Sequence, residues 1–319
     1  VKKNVLLLET IANEALALLS ESVNVVRAKD DTSLPASFNG QDIHAVITRG
    51  KGQINKKLLA SCPRLEVAAR CGVGLDNVDV EGASARNVKV IHAPGANAAT
   101  IAEHSLSLML MLMRQMYESV EQVKSGNWNW RNTYSGDELN GKTLGILGMG
   151  NIGKRVAKLA DAFGMNVLYW SRSVQDLPYR FTILEEVLQQ SDIVSVHLPF
   201  SPETGCLIQK EQLALMKAGS FLVNTARGAL IDHQALFEAL TAGRLAGFAA
   251  DVLPEEPPAA NDPVLLHPRS LITPHSGSLT ATTYREMCVY TVKNVLAVLK
   301  GEEPEAKSVF NREALSKKQ

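Results

Sequence analysis

Thr143-Leu144-Gly145-Ile146-Leu147-Gly148-Met149-Gly150-Asn151-Ile152-Gly153 is the stretch that decides how this chain folds. Its apolar run Leu144, Ile146 and Leu147 leads into Gly148, Gly150 and Gly153, and a helical pattern continues to Phe163. Strand, G-x-G-x-x-G and helix in that order make a dinucleotide-binding turn. Gly148 serves the tight turn, Gly150 the close approach of backbone to a pyrophosphate, and Gly153 the packing of helix on strand. The helix start at Asn151 and Ile152 offers unpaired N–H groups and the positive end of the dipole to phosphates.

A ribose-binding acid is normally found about 20 residues further on, at the end of the second strand. That strand, Asn166-Val167-Leu168-Tyr169-Trp170, ends instead in Ser171-Arg172-Ser173. A carboxylate there would accept from the ribose 2′-hydroxyl and repel a 2′-phosphate. A hydroxyl followed by a forked guanidinium favours the phosphate. The expected cofactor is therefore NADP, with NAD as the alternative if these are ordinary loop residues.

Bulk properties narrow the class. At 319 residues the chain has room for two domains. Its 33 basic and 33 acidic residues balance, so charge points to neither a nucleic-acid nor a membrane partner. The four cysteines, Cys62, Cys71, Cys206 and Cys288, make no C-x-x-C and no metal-ligand spacing, which suggests reduced, buried thiols and no metal. No signal-peptide pattern stands at the N-terminus, and the apolar stretch Leu106 to Met113 is far too short to span a bilayer. The expectation is a soluble, cytoplasmic protein.

Short apolar strands at Val5–Leu8, Val23–Val26, Ala45–Ile47, Leu65–Ala69 and Lys89–Ile91 alternate with helical patterns. That alternation reads as a parallel sheet covered by helices. Pro94-Gly95 breaks it, and one long helix is expected from about Ala98 to Ser125, apolar nearly all round in its middle. Such a helix must be covered on more than one side, which points to a homodimer built on it. After the glycine turn the chain continues with strands Ile193–His197, Ser220–Asn224, Gly247–Val252 and Leu271–Thr273. Ligands of doubly wound sheets sit at the carboxyl ends of strands. The residues found there are His197-Leu198-Pro199, Asn224-Thr225-Ala226-Arg227-Gly228, Asp251-Val252 and Thr273-Pro274-His275. A final helix, Thr280 to Lys300, returns the chain to the first domain. The expected division is 1–97 with 290–319, and 98–289.

With Gly72-Val73-Gly74-Leu75-Asp76-Asn77, Thr204, Glu256-Pro257 and Ser276-Gly277 added, the chain resembles the D-isomer-specific 2-hydroxyacid dehydrogenases over essentially its whole length. The resemblance implies an α/β protein of two doubly wound parallel-sheet domains, a flavodoxin-like substrate domain and a Rossmann dinucleotide-binding domain. Ser-Arg in place of the acid looks like the NADPH-linked glyoxylate and hydroxypyruvate reductases. An NAD-dependent D-3-phosphoglycerate or other D-2-hydroxyacid dehydrogenase is the alternative, although the Asp that the phosphoglycerate enzymes carry is absent at Ser171. The chain also ends soon after its last helix, short of the regulatory domain some of those enzymes have. A more remote alternative is a dinucleotide-sensing protein similar to the C-terminal-binding corepressors, but no extended regulatory tail is visible.

Arg227, Glu256 and His275 are the catalytic set that the resemblance implies, and each suits the chemistry. Reducing a 2-oxo acid puts a hydride on the carbonyl carbon and a proton on its oxygen. Histidine is the side chain best suited to give that proton near neutrality. A carboxylate such as Glu256 would fix the tautomer of the ring. Arg227 would bind the substrate carboxylate and polarise the ketone. The N–H groups of Val73 and Gly74 would hold the other side of that carboxylate. The resemblance also puts Ser171–Ser173, His197, Leu198, Pro199, Thr204, Thr225, Ala226, Asp251 and Gly277 beside the cofactor. From the residues alone, a histidine in a Thr-Pro-His turn, a glutamate in a Pro-rich loop and an Arg-Gly after a strand are more often structural. The joint match reverses that. The side-chain pocket for the acid is expected from Thr48-Arg49-Gly50-Lys51 and the Trp128–Tyr134 segment. There Arg49 and Lys51 are either ligands for an acidic tail or plain surface charges.

Overall fold

A computed structural model describes residues 2–28, 42–201 and 204–316. The elements in chain order begin β1 (Asn4–Leu7), α1 (Asn13–Ser22), β2 (Asn24–Arg27), β3 (Ile43–Thr48), α2 (Lys56–Ser61), β4 (Val67–Arg70), α3 (Val80–Ala85) and β5 (Lys89–Ile91). Next come α4 (Ala98–Met113), α5 (Met116–Lys124), β6 (Thr143–Leu147), α6 (Asn151–Ala162), β7 (Asn166–Trp170), β8 (Arg180–Phe181), α7 (Leu184–Gln190) and β9 (Ile193–Val196). The remainder are α8 (Lys210–Leu215), β10 (Ser220–Asn224), α9 (His233–Thr241), β11 (Leu245–Ala250), β12 (Ser270–Ile272), α10 (Ala281–Lys300) and α11 (Arg312–Ser316). They divide into two compact units, Val1–Asn97 with Leu279–Gln319, and Ala98–Ser278.

The first unit holds a five-stranded parallel sheet in the order β2-β1-β3-β4-β5, the flavodoxin-like order. Alternation sorts its side chains. Val5 and Leu7 of β1 join Ala15, Leu19, Cys288, Val292 and Val295 on one face, while Leu6 joins Val46, Leu58, Leu59 and Ala83 on the other. A central parallel strand is covered on both faces, and β3 is buried at every residue. Asn55 caps α2 by accepting from Leu58 N–H at 3.0 Å, and Asp79 caps α3 from Gly82 N–H at 2.8 Å. The chain returns to this unit at Leu279 and not at 290. The reason is that Tyr284, Cys288 and Val289 already belong to the stripe by which α10 packs on this sheet.

The second unit holds a seven-stranded parallel sheet in the order β12-β11-β10-β9-β6-β7-β8. From β8 inward this is the dinucleotide-binding order 3-2-1-4-5-6, extended by one strand, β12. Neither β8 nor α7 was legible in the sequence; β8 is two residues long with both exposed, too short to show a period. The single helix expected over Ala98–Ser125 is two helices, broken at Arg114-Gln115, where Gln115 takes a left-handed φ of 45°. Within its own unit, α4 packs Ala102, Leu106, Leu108, Met109 and Met113 against α6 and the sheet. No residue of α5 is buried, and Met116, Tyr117, Val120 and Val123 lie exposed on it. The uncovered apolar surface is therefore on α5, downstream of the methionine-rich stretch. Among the described residues no helix is long and apolar enough to cross a membrane.

Candidate active site

The carboxyl ends of β6, β7, β9, β10, β11 and β12 gather nearly all the residues singled out in the second unit. At the glycine turn, Gly148 has φ 103°, and its N–H donates to the Trp170 carbonyl at 2.8 Å. A Cβ there would lie 2.5 Å from the His197 carbonyl oxygen, and one at Gly153 would lie 2.1 Å from the Gly148 oxygen. At Gly150 nothing of the protein lies within 4 Å of the Cβ position. No side chain caps α6, which starts at Asn151. Two closed glycines and one open one, beneath an uncapped helix start, fit a bound pyrophosphate.

At the end of β7, Ser171 Oγ donates to the Ser173 carbonyl at 2.5 Å, and Gln175 Nε2 donates to Ser173 Oγ at 3.1 Å. Arg172 is exposed and makes no ion pair among the described residues. At the end of β9, His197 Nε2 lies 2.9 Å from Ser195 Oγ, and Nδ1 is enclosed with no hydrogen-bond partner among the described residues. Burial pulls this imidazole down to about 4, so the ring is neutral at physiological pH. Pro199 accepts from Thr204 Oγ1 at 3.0 Å. Leu198 is buried. The Thr225 hydroxyl is turned toward α4, 2.8 Å from Ser105 Oγ.

Arg227 sits in a turn shaped by Asn224, whose Oδ1 accepts from Ala226 N–H at 2.9 Å and whose Nδ2 donates to the Arg227 carbonyl at 2.8 Å. A Cβ at Gly228 would lie 2.1 Å from the Leu253 carbonyl carbon. Only glycine lets the Arg227 turn lie so close under the loop that carries Glu256. On that loop Glu256 Oε1 accepts from Leu253 N–H at 3.2 Å, and Oε2 lies 2.6 Å from His275 Nδ1.

His275 has φ 52°, a left-handed conformation uncommon for any residue but glycine. Asp251 explains why it persists. This carboxylate, 2% exposed, accepts from Ser276 N–H at 2.9 Å, Gly277 N–H at 2.7 Å and Thr273 Oγ1 at 2.6 Å. His104 Nε2, from α4, approaches Asp251 Oδ1 at 3.5 Å and Thr273 Oγ1 at 3.0 Å. Burial works against the Asp251 carboxylate, but hydrogen bonds from His104, Thr273, Gly277 and Ser276 more than compensate and hold its pKa below the usual range. Asp251 was expected beside the cofactor; it also anchors both sides of the His275 turn. His104 and Ser105 were missed, because single polar residues inside an apolar helix carry no periodic signal.

Val73 and Gly74 belong to the first unit, just past β4. There His92 Nδ1 lies 2.9 Å from the Val73 carbonyl oxygen.

Comparison with known proteins shows what the chain is similar to. The model of the NAD-binding domain of D-isomer-specific 2-hydroxyacid dehydrogenases matches residues 106–277. Glyoxylate reductase of Aeropyrum pernix is 38% identical, over 96% of this chain and 95% of that protein. D-3-phosphoglycerate dehydrogenase of Methanocaldococcus jannaschii is 34% identical over 93% of this chain, which spans only 58% of that relative's length. The NADPH-dependent glyoxylate/hydroxypyruvate reductase of Sinorhizobium meliloti, solved with NADP and malonate, superposes with a TM-score of 0.87 at 26% identity, covering 97% of this chain and 98% of that one. The chain belongs to the D-isomer-specific 2-hydroxyacid dehydrogenases, a family of oxidoreductases that act on CH–OH groups.

Proposed function

We propose that this enzyme reduces glyoxylate and hydroxypyruvate with NADPH. The observation that carries the chemistry, reduction of a 2-oxo acid, is the contact of His275 Nδ1 with Glu256 Oε2 at 2.6 Å. With Nδ1 engaged by the carboxylate, Nε2 of His275 is the ring atom left to deliver a proton to the carbonyl oxygen. NADPH held at the Gly148–Gly153 turn would supply the hydride for the carbonyl carbon, and the same residues run backwards would serve oxidation of a D-2-hydroxy acid. Arg227 binds the substrate carboxylate by its guanidinium fork and stabilises charge growing on the ketone oxygen.

For the cofactor, the exposed Arg172 and the hydroxyls of Ser171 and Ser173 suit a 2′-phosphate, and no carboxylate stands at 171 to repel it. The Sinorhizobium reductase, solved with NADP, supports the same choice. A homodimer is supported by the exposed apolar side chains of α5 together with Trp128. The four cysteines are all unpaired, which suits the cytoplasm. A panel of 2-oxo acids assayed with NADPH and NADH tests the reading. Glyoxylate and hydroxypyruvate should give the highest kcat/KM, with NADPH. Turnover confined to a phosphorylated acid with NADH would replace it with the phosphoglycerate alternative.

A further inference from the structure

Four consecutive amides converge on one oxygen in the first unit. The N–H groups of Arg49, Gly50, Lys51 and Gly52 donate to Glu9 Oε2 at 2.8, 2.7, 3.0 and 3.0 Å. Successive N–H groups around one point form an anion-binding nest, and here the anion is a side chain of the same chain. The Glu9 side chain is 5% exposed. Thr48 Oγ1 adds a contact at 2.9 Å. Burial alone would raise the pKa of this carboxyl; the hydrogen bonds from Gly52, Gly50, Arg49 and Thr48 outweigh that and hold it at about 2.

Glu9 follows β1, the nest follows β3, and Gly72 to Asn77 follow β4, so all three lie on the carboxyl edge of the sheet, where such folds bind ligands. They are also one hydrogen-bonded assembly. Arg70 Nε donates to the Arg49 carbonyl at 2.8 Å, and Asn77 Nδ2 donates to the Gly52 carbonyl at 2.7 Å. The two cations of the loop have separate fates. Arg49 is turned back, its Nε 3.8 Å from Glu9 Oε1 and its guanidinium 5.5 Å from the centre of the Tyr284 ring. Lys51 is exposed and makes no ion pair among the described residues.

We propose that Glu9 is a positioning residue for acid specificity, its carboxylate presetting the 49–52 loop against which the far end of the 2-oxo acid is sorted. The proposal rests on the activity proposed above. Five donors around a desolvated carboxylate are an expensive way to close a surface loop that glycines alone would allow to turn. What the carboxylate adds is a single fixed conformation of the loop.

The test compares Glu9→Ala with the unmutated enzyme on two acids. KM for hydroxypyruvate should rise about tenfold, while KM for glyoxylate, which has no side chain at C2, changes less than about threefold; kcat with either acid should fall less than about threefold. Formate, a small carboxylate that fits the emptied nest, should restore KM for hydroxypyruvate. Glu9→Gln keeps an acceptor oxygen without the charge and should fall between the two; it carries the comparison if Glu9→Ala does not fold. In the same proteins, hydrogen exchange of amides 49–52 should be slow in the unmutated enzyme and at least about tenfold faster without the carboxylate. If KM for both acids rises in parallel, or neither moves, the specificity role is overturned. An unmutated enzyme that reduces neither acid overturns the proposed activity, and unchanged exchange in the Glu9 variants then overturns the Glu9 assignment separately.

Discussion

His275 Nδ1 and Glu256 Oε2 are 2.6 Å apart, although the two residues sit on different loops of the second unit. The histidine is held in a left-handed backbone conformation by the hydrogen bonds of Asp251 to Ser276 and Gly277. The glutamate is anchored by Leu253 N–H. A half-exposed contact of this kind adds little to stability. Its geometry is worth more, since it selects which ring nitrogen points outward.

Glu256→Gln keeps the shape and can still hydrogen-bond Nδ1, but it removes the charge that complements an imidazolium. We expect kcat to fall by about 10- to 100-fold, less than for loss of the histidine, with KM for NADPH unchanged. Steady-state kinetics across pH 5–9 provide the check, and an unaltered kcat would remove Glu256 from the catalytic set.

The cofactor choice rests on the end of β7. Arg172→Ala should cost about tenfold or more in kcat/KM for NADPH and leave NADH nearly unaffected, since a charge-assisted contact to phosphate contributes about 1.5–3 kcal/mol before solvation and salt are allowed for. Ser171→Asp should move the preference toward NADH. A clear NADH preference in the unmutated enzyme would make these ordinary loop residues.

Quaternary structure is read from α5. The protein should sediment as a dimer at micromolar concentration, and Val120→Asp, a charge in the middle of the exposed apolar face, should shift it toward monomer. A dimer indifferent to that substitution would place the interface elsewhere.

Glu9 gives a pH signature. Its folded pKa of about 2 lies below the ordinary 4.5, so its stabilising effect is complete above that ordinary value and is lost as pH falls from 4.5 toward 2. Urea midpoints should therefore drop more steeply over this window in the unmutated protein than in Glu9→Gln. The difference should be on the order of 2 kcal/mol after screening at the loop. Parallel pH profiles would show that the carboxylate contributes nothing.

Much of this architecture could be read from sequence because it is written in local patterns. The Thr143–Gly153 turn carries its own steric reasons, and the short apolar runs between helical patterns announce the parallel sheet of the first unit. The misses have physical causes too. The break at Gln115 leaves no proline or glycine to mark it. Glu9 and Thr48 are 39 residues apart in sequence, and nothing in either announces a nest that only tertiary structure assembles. His104 supports the His275 turn from α4, across 169 residues of sequence from Thr273.

Single-turnover kinetics show whether His275 delivers the proton as a 2-oxo acid is reduced. Enzyme preloaded with NADPH is mixed with glyoxylate, and the loss of nicotinamide absorbance is followed in the unmutated protein and in His275→Ala, with NADPH affinity measured separately by fluorescence. NADPH affinity should be equal in the two proteins, and the reduction step should be slowed by about 10²- to 10⁴-fold in the variant. A variant that reduces glyoxylate at the unmutated rate would contradict that role.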